Sequence, residues 1–174
     1  MLLLNVNITF NKYNEIFVKC KLSCMYLRNK YWMIMYTLTK SFHFAAAHRL
    51  MEHDWLCYNV HGHNFGVTVT LQCETVTDNK TWFIFDHKLL KPFIKRVEEQ
   101  YDHAFLTQEW DPIGEFLQSQ WHKVVFFPFP PSIENLAQHL AENFASIIIL
   151  PHGTSLHAVS IQETPTASAQ YLSL

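Results

Sequence analysis

Two histidines separated by one residue, His61 and His63, are the clearest chemical feature of a chain that contains 11 histidines. Histidine is the commonest metal ligand among protein side chains. In an extended strand, residues two apart point to the same face, so both imidazoles can approach one ion. Gly62 then lies on the opposite face, where the missing side chain lets another backbone come close. This spacing predicts part of a metal site at the start of a strand.

His48 is a candidate for the third ligand. It ends the preceding predicted strand, and a hairpin-like return of the chain would bring it beside His61. Three neutral imidazoles would leave the +2 charge of zinc uncompensated and one coordination position open, which is typical of catalytic rather than structural zinc. The alternative interpretation is that His61 and His63 are ordinary surface residues.

The composition and charge of the chain argue against several other classes of protein. Its 174 residues, 49% of them apolar, suit a single domain with a hydrophobic core. The formal charge of −2 argues against binding driven by nucleic-acid phosphates, and no apolar run approaches the roughly 20 residues that span a bilayer. Four irregularly spaced cysteines do not form a disulfide framework. We therefore predict a reducing, cytoplasmic location.

Residues 1–34 differ from the rest of the chain. They hold five basic residues and one acidic residue, a charge of +4, so the total of −2 leaves −6 for residues 35–174. The segment shows no clear period and lacks the order of basic, apolar and small residues that marks a secretory signal. We therefore expect an N-terminal extension at 1–34, outside a domain at 35–174. One hypothesis is that the working protein begins at Met35, and the alternative is that 2–10 and 16–18 add strands that cover a sheet edge.

Alternating apolar residues predict the strands that would position the histidines. Residues 36–48 begin with such an alternation, and residues 65–71 alternate cleanly between apolar residues and threonine. Residues 52–60 are polar and irregular, which indicates a loop. Shorter strands are predicted at 82–85, 124–127 and 156–162, and the last of these closes the domain.

Two segments have the spacing of amphipathic helices. Apolar residues recur at helical intervals over 90–101, with lysine and glutamate on the other face. A second helix is predicted over 133–144, after Ser132, which is a good N-cap residue following three prolines. The segment 107–123 is predicted to be a long connection with a possible helical turn. The fold class is therefore α+β with an antiparallel sheet.

Six blocks of the sequence, all in register, form a recognisable set of motifs. FHFAAAHRL at 42–50 and CYNVHGHNF at 57–65 contain the three histidines. The other four blocks are IFDHKLLK at 84–91, YDHAFL at 101–106, SIENLA at 132–137 and QET at 162–164. Together they resemble the family of 6-pyruvoyl-tetrahydropterin and 6-carboxytetrahydropterin synthases. His87 stands where Phe is usual, and the segment 107–123 is longer than in the shortest members. The resemblance covers residues 36–171 and leaves 1–34 without a counterpart.

The resemblance implies the tunnelling fold, or T-fold. In this fold an antiparallel sheet with two helices on one face joins copies of itself into an oligomeric barrel. A homohexamer of two stacked trimers with active sites between subunits is therefore expected, and neither a nucleic acid nor a membrane is expected as a partner. The resemblance also implies zinc as the cofactor, held by His48, His61 and His63.

The resemblance further implies roles for residues around the metal, in a family that acts on 7,8-dihydroneopterin triphosphate. Cys57 occupies the position of the proposed base, and a cation nearby would favour its thiolate. Asp102 can set the tautomer of His103, so that this ring accepts or relays a proton. Glu163, followed by Thr164, resembles the pterin anchor, because its two oxygens match the paired N–H donors of the ring edge.

Two branches of the family, both lyases, share this site. The carboxy branch releases acetaldehyde as well as triphosphate and feeds 7-deazaguanine synthesis, the route to queuosine. The pyruvoyl branch eliminates triphosphate and leads to tetrahydrobiopterin. Only three residues separate Cys57 from His61, two fewer than is usual in the pyruvoyl branch, and this favours the carboxy reaction. A pyruvoyl synthase, a non-catalytic pterin- or metal-binding module and a zinc hydrolase or hydratase stay as alternatives. Lys88, Lys91 or a neighbouring subunit could supply the cations that a triphosphate needs.

Overall fold

A six-stranded sheet forms the centre of the larger of two units in the computed structural model. The structure describes residues 7–10, 16–19, 36–73, 83 and 85–173. The chain divides into one unit at Met1–Met33 and another at Ile34–Leu174. In the first unit, strands β1 (Asn7–Phe10) and β2 (Ile16–Lys19) form an antiparallel pair. The strand predicted at 82–85 lies partly outside the described residues.

The second unit combines six strands with three helices. The strands are β3 (Tyr36–His48), β4 (His61–Cys73), β5 (Ala104–Gln108), β6 (Val124–Phe127), β7 (Thr154–Thr164) and β8 (Ala167–Leu172). The helices are α1 (Lys91–Tyr101), α2 (Pro112–Ser119) and α3 (Ile133–Ile147). None of the helices in the described part of the chain has the length and apolar character that a bilayer span requires.

The sheet is mixed, with the strand order β6-β5-β3-β4-β7-β8. The pairs β3–β4, β4–β7 and β7–β8 are antiparallel, as predicted. The sheet also contains two parallel pairs that were not predicted, because β5 runs parallel to β3 and β6 runs parallel to β5. Helix α2 carries the chain back between β5 and β6, so the second strand enters in the same direction as the first.

The long hairpin of β3 and β4 forms because both strands alternate apolar residues on one face. Its register is continuous from Tyr36 opposite Cys73 to His48 opposite His61. Phe65, Val67 and Leu71 are fully buried, as the alternation over 65–71 predicted. The predicted strand over 36–48 agrees with β3 at both ends.

Helices α1 and α3 cover the apolar face of this hairpin. The ring of Phe93 in α1 contacts Phe42 edge-on at 6.3 Å between centroids and Phe144 of α3 at 5.1 Å. Ser132 caps α3 by accepting a hydrogen bond from the N–H of Asn135 at 3.4 Å, so the predicted N-cap is confirmed. The core therefore lies between one face of the sheet and these two helices.

The segment 107–123 is more regular than predicted. Its first residues complete β5, and the chain then forms α2. Asp111 caps the N-terminus of α2, because its carboxylate accepts a hydrogen bond from the N–H of Ile113 at 2.9 Å. A Cβ on Gly114 would lie 2.7 Å from Thr107 and 2.9 Å from Phe126, so only glycine permits this close packing of α2 on β5 and β6. Leu106 points into the core beneath α1 and α3, so the next residue of β5, Thr107, points to the other face of the sheet. Because α2 packs on Thr107, it lies on the face opposite α1 and α3.

The prediction for the end of the domain missed one strand. The strand predicted at 156–162 lies within β7, but β7 is not the last strand, because β8 pairs with it antiparallel. In β8, small and polar residues give only a weak apolar alternation.

Candidate metal centre

The register of the β3–β4 hairpin brings three histidine rings together at the end of the sheet. His48 lies directly opposite His61, and His63 follows two residues later on the same face. The ring centroid of His48 is 4.4 Å from that of His61 and 5.2 Å from that of His63. A Cβ on Gly62 would lie 3.3 Å from the carbonyl oxygen of Ala46, so glycine eases the close approach of the two strands here.

Backbone carbonyl groups fix the tautomers of two of these rings. Nδ1 of His48 lies 2.9 Å from the carbonyl oxygen of Pro131, and Nδ1 of His61 lies 2.7 Å from that of Asn59. Because a carbonyl oxygen only accepts hydrogen bonds, each Nδ1 carries the proton and each Nε2 presents a lone pair. This is the arrangement found in histidines that bind a metal through Nε2.

Two ring nitrogens at this site lack any hydrogen-bond partner. Nε2 of His48 and Nε2 of His63 are both buried and unsatisfied. His48 is only 2% exposed, and its burial is the main cause that lowers its pKa and keeps the ring neutral. Buried polar atoms without a partner are costly, so these nitrogens fit a bound metal ion.

Glu163 of β7, for which the family resemblance implies a role as the pterin anchor, joins the three histidines. Its Oε1 lies 3.2 Å from Nε2 of His48 and 3.6 Å from Nε2 of His63. Potential ligand atoms of all four residues lie within 4.8 Å of one another. Glu163 reaches this position because β7 pairs with β4 and because it lies two residues beyond Ile161, which is buried in the core.

Cys57 lies in a 3-10 turn at Leu56–Tyr58, inside the predicted loop over 52–60. It is a partly buried free thiol. Its carbonyl accepts a hydrogen bond from the N–H of Leu50 at 2.8 Å. The guanidinium group of Arg49 stacks over the neighbouring Tyr58 ring at 5.0 Å. The loop that carries Cys57 is therefore anchored to the end of β3, directly after His48.

Asp102 and His103 form a hydrogen-bonded pair between α1 and β5. Nδ1 of His103 lies 2.8 Å from Oδ2 of Asp102, whose Oδ1 accepts from the N–H of Ala45 at 2.8 Å. The hydrogen bond from Ala45, followed by that from His103, lowers the pKa of Asp102. The ionised carboxylate thus accepts a hydrogen bond from Nδ1–H of His103, so that Nε2 of His103 carries a lone pair.

His103 is not one of the four residues whose ligand atoms cluster in its own chain. It is 82% exposed, has a φ of 58° and lines a pocket of about 540 Å³. Ala45, Ala47 and Asn64 also line this pocket, and these residues alternate with the histidines along β3 and β4. The pocket therefore lies mainly on the opposite face of the sheet, although His63 also contributes to its lining.

Thr164 and the two predicted lysines are not among the four clustered residues. Thr164 ends β7, and its hydroxyl oxygen accepts a hydrogen bond from the N–H of Thr166 at 3.4 Å. Lys88 lies in the 3-10 turn before α1, Lys91 is the first residue of α1, and both are exposed.

Comparisons with known proteins agree with the fold and the motifs. Residues 37–173 match the sequence model of the 6-pyruvoyl tetrahydropterin synthase family. The chain is 30% identical to the 6-carboxy-5,6,7,8-tetrahydropterin synthase of Haemophilus influenzae over 145 residues, which cover 79% of this chain and 99% of the relative.

Solved structures show the same fold. The 6-pyruvoyl tetrahydropterin synthase of Caenorhabditis elegans superposes with a TM-score of 0.59 at 25% identity, and the match covers 83% of this chain and all of that one. A protein from Wolinella succinogenes gives a TM-score of 0.69 at 22% identity, over 80% of this chain and 98% of that one.

Proposed function

Because the chain belongs to the 6-pyruvoyl tetrahydropterin synthase family, we propose that it is a zinc-dependent 6-carboxy-5,6,7,8-tetrahydropterin synthase. In this reaction, 7,8-dihydroneopterin triphosphate and water give 6-carboxytetrahydropterin, acetaldehyde and triphosphate, a step toward 7-deazaguanine and queuosine. The observation that carries the proposal is the convergence of His48, His61 and His63 with two buried, unsatisfied Nε2 atoms.

The donor set of the cluster supports zinc as the metal. Neutral imidazole nitrogens are typical ligands of zinc, and His48 and His61 hold their protons on Nδ1, which frees Nε2. When bound, zinc would supply Lewis acidity that polarises the hydroxyl groups of the substrate side chain. The neighbouring side chains orient the substrate around this centre and move its protons.

Cys57 is the proposed base that takes a proton from the substrate side chain. Its thiol is free, and its turn is tied to the residues that follow His48. A thiolate beside a cation is favoured over the thiol at neutral pH. His103 is the proposed relay, because Asp102 holds its Nδ1 proton and leaves Nε2 able to accept.

We propose that each complete site is shared between subunits of a homohexamer. His103 is 82% exposed on the sheet face opposite the histidine cluster, so it is available to a metal centre of a neighbouring chain. In the described sheet, β6 and β8 each have one unpaired edge, and pairing of such edges between copies would protect them. The barrel expected for this family would bring His103 to a neighbouring metal centre and would pair the edges of β6 and β8.

Glu163 and Thr164 are proposed to bind the pterin ring at the end of β7. The two carboxylate oxygens of Glu163 match a pair of N–H donors. Because the substrate is a charged triphosphate, which does not cross membranes unaided, we place the enzyme in the cytoplasm where such a compound would be made.

Identification of the products tests the function directly. The zinc-loaded protein is incubated with 7,8-dihydroneopterin triphosphate, and the products are identified by mass spectrometry. We expect 6-carboxytetrahydropterin with one equivalent of acetaldehyde, in line with the name of the Haemophilus influenzae relative. A pyruvoyl product without acetaldehyde would instead assign the reaction that the Caenorhabditis elegans relative is named for. Substrate that binds but is not converted would indicate a binding module.

A further inference from the structure

The position of Glu163 bears directly on the proposed metal site. Four ligand atoms in tetrahedral positions about 2.0–2.2 Å from zinc are about 3.3–3.6 Å apart from one another. Oε1 of Glu163 lies 3.2 Å from Nε2 of His48 and 3.6 Å from Nε2 of His63. We infer that Glu163 is a fourth protein ligand, which closes the coordination sphere of the metal while no substrate is bound. This inference rests on the proposed function, because it requires the metal that the three histidines would hold.

The contact between Glu163 and His48 has no satisfactory explanation without a cation. Nδ1 of His48 donates to the carbonyl of Pro131, so its Nε2 carries a lone pair that faces the carboxylate. Nε2 of His48 makes no hydrogen bond, although Oε1 is only 3.2 Å away. Two acceptor atoms at this distance repel each other, and a metal ion between them turns the repulsion into two favourable contacts.

A doubly protonated His48 is the alternative explanation of the same contact. That ring is 2% exposed, and the rings of His61 and His63 lie 4.4 and 5.2 Å away. A charged imidazolium would lose nearly all of its hydration there. A metal ion instead uses the lone pairs of all three rings together with the carboxylate.

The inferred ligand has a consequence for substrate binding. Three neutral histidines leave a charge of +2 at the metal, and the Glu163 carboxylate reduces it to +1. The substrate hydroxyl groups must then displace Glu163 to reach the metal. Glu163 lies beside an irregularity in the β7–β8 pairing, between Gln162 and Thr164, and its side chain is 23% exposed. The displaced carboxylate can therefore turn toward the N–H donors of the pterin ring.

Cobalt substitution provides a test that does not depend on turnover. Co²⁺ replaces zinc in the full chain, and its visible absorption spectrum reports the ligands. We expect Glu163→Ala to change the spectrum and to bind azide at least tenfold more tightly than the parent, because the fourth position becomes free. The affinity of Glu163→Ala for Co²⁺ should fall at least about tenfold. Even the loss of a residue that only orients a metal ligand lowers metal affinity roughly 10–100-fold. Glu163→Gln, which keeps the size of the side chain, should change the spectrum in the same direction.

Glu142→Ala, on the exposed side of α3, is the matched control and should leave the spectrum and azide binding unchanged. A spectrum and an azide affinity of Glu163→Ala equal to those of the parent would overturn the inference and leave the proposed function intact. If the parent protein takes up neither cobalt nor zinc, the proposed function and the inference both fail.

Discussion

Removing the carboxylate of Asp111 is predicted to destabilise the domain strongly, because it would leave a buried arginine without a partner. Asp111 is fully buried, and Arg49 is 5% exposed. Asp111 accepts two hydrogen bonds from Arg49, each 2.8 Å long, and two more from the side chain of Thr107 and the N–H of Ile113. This ion pair ties the residue after His48 to the start of α2.

The expected loss follows from the two contacts that disappear. Breaking a buried ion pair by removing one partner costs about 3–5 kcal/mol, and the lost N-cap of α2 adds about 1 kcal/mol. Asp111→Ala should therefore lower the free energy of unfolding by about 4–6 kcal/mol. That is a large share of the roughly 5–15 kcal/mol that stabilises a typical domain.

Urea denaturation followed by tryptophan fluorescence measures this loss. Protein concentration is held constant, because assembly of subunits contributes to apparent stability. The control is Glu99→Ala, which breaks an exposed ion pair with Lys95 and should cost about 0.5 kcal/mol or less. Arg49→Met combined with Asp111→Leu removes both charges and should recover most of the stability. A loss below about 1 kcal/mol for Asp111→Ala, or a double variant less stable than Asp111→Ala, would refute the reasoning.

The same pair makes a contribution that depends on pH. Burial alone would raise the pKa of Asp111, but hydrogen bonds from Arg49 and Thr107 outweigh it, and the pKa is lowered. A lowered folded pKa means that this stabilisation is present above the unfolded value of about 3.9 and is lost as the pH falls through the folded value. Unfolding curves of Asp111→Ala at several acidic pH values should lack this part of the acid dependence.

Three further predictions concern the catalytic groups, the assembly and the start of the chain. Cys57→Ala should bind zinc like the parent and lose turnover, because it removes the proposed base and no ligand; product formation within a few-fold of the parent would exclude Cys57 as the base. Light scattering at micromolar concentration should report a hexamer, since β6 and β8 leave sheet edges to be paired, whereas a monomer would contradict both the barrel and the shared site. A chain that begins at Met35 should assemble and turn over like the full chain, because β3 to β8 are retained; aggregation on size-exclusion chromatography would instead favour a role for 1–34 in covering a sheet edge.

The parts of the fold that the sequence predicts well are those with a strong period. Strands β3 and β4 alternate apolar and polar residues over most of their length, and α1 and α3 carry apolar residues at helical spacing. Their hairpin register follows from the alternation, because a shift of one residue would expose the entire apolar face. The grouping of the three histidines therefore needed only local patterns.

The parts that were missed depend on contacts distant in sequence. Four of the five residues of β5 are buried, so the strand shows no alternation. Helix α2 exposes Ile113 and Phe116, which obscures its apolar face. The approach of Glu163 to His48 depends on β7 pairing with β4 across more than 80 residues of chain, and no local pattern encodes that strand order. One local signal was available. Glu163 follows Val159 and Ile161 at intervals of two residues, which places it on the same face of β7 as these buried side chains.

Metal content is the most direct test of the central claim that His48, His61 and His63 hold a zinc ion. Elemental analysis of the purified protein should find about one zinc per chain, because the three histidines form one site. His48→Ala, His61→Ala and His63→Ala should each lose most of it, while His152→Ala, in an exposed turn, should keep it. Full zinc occupancy in His61→Ala, or a parent protein that binds no metal, would contradict the account.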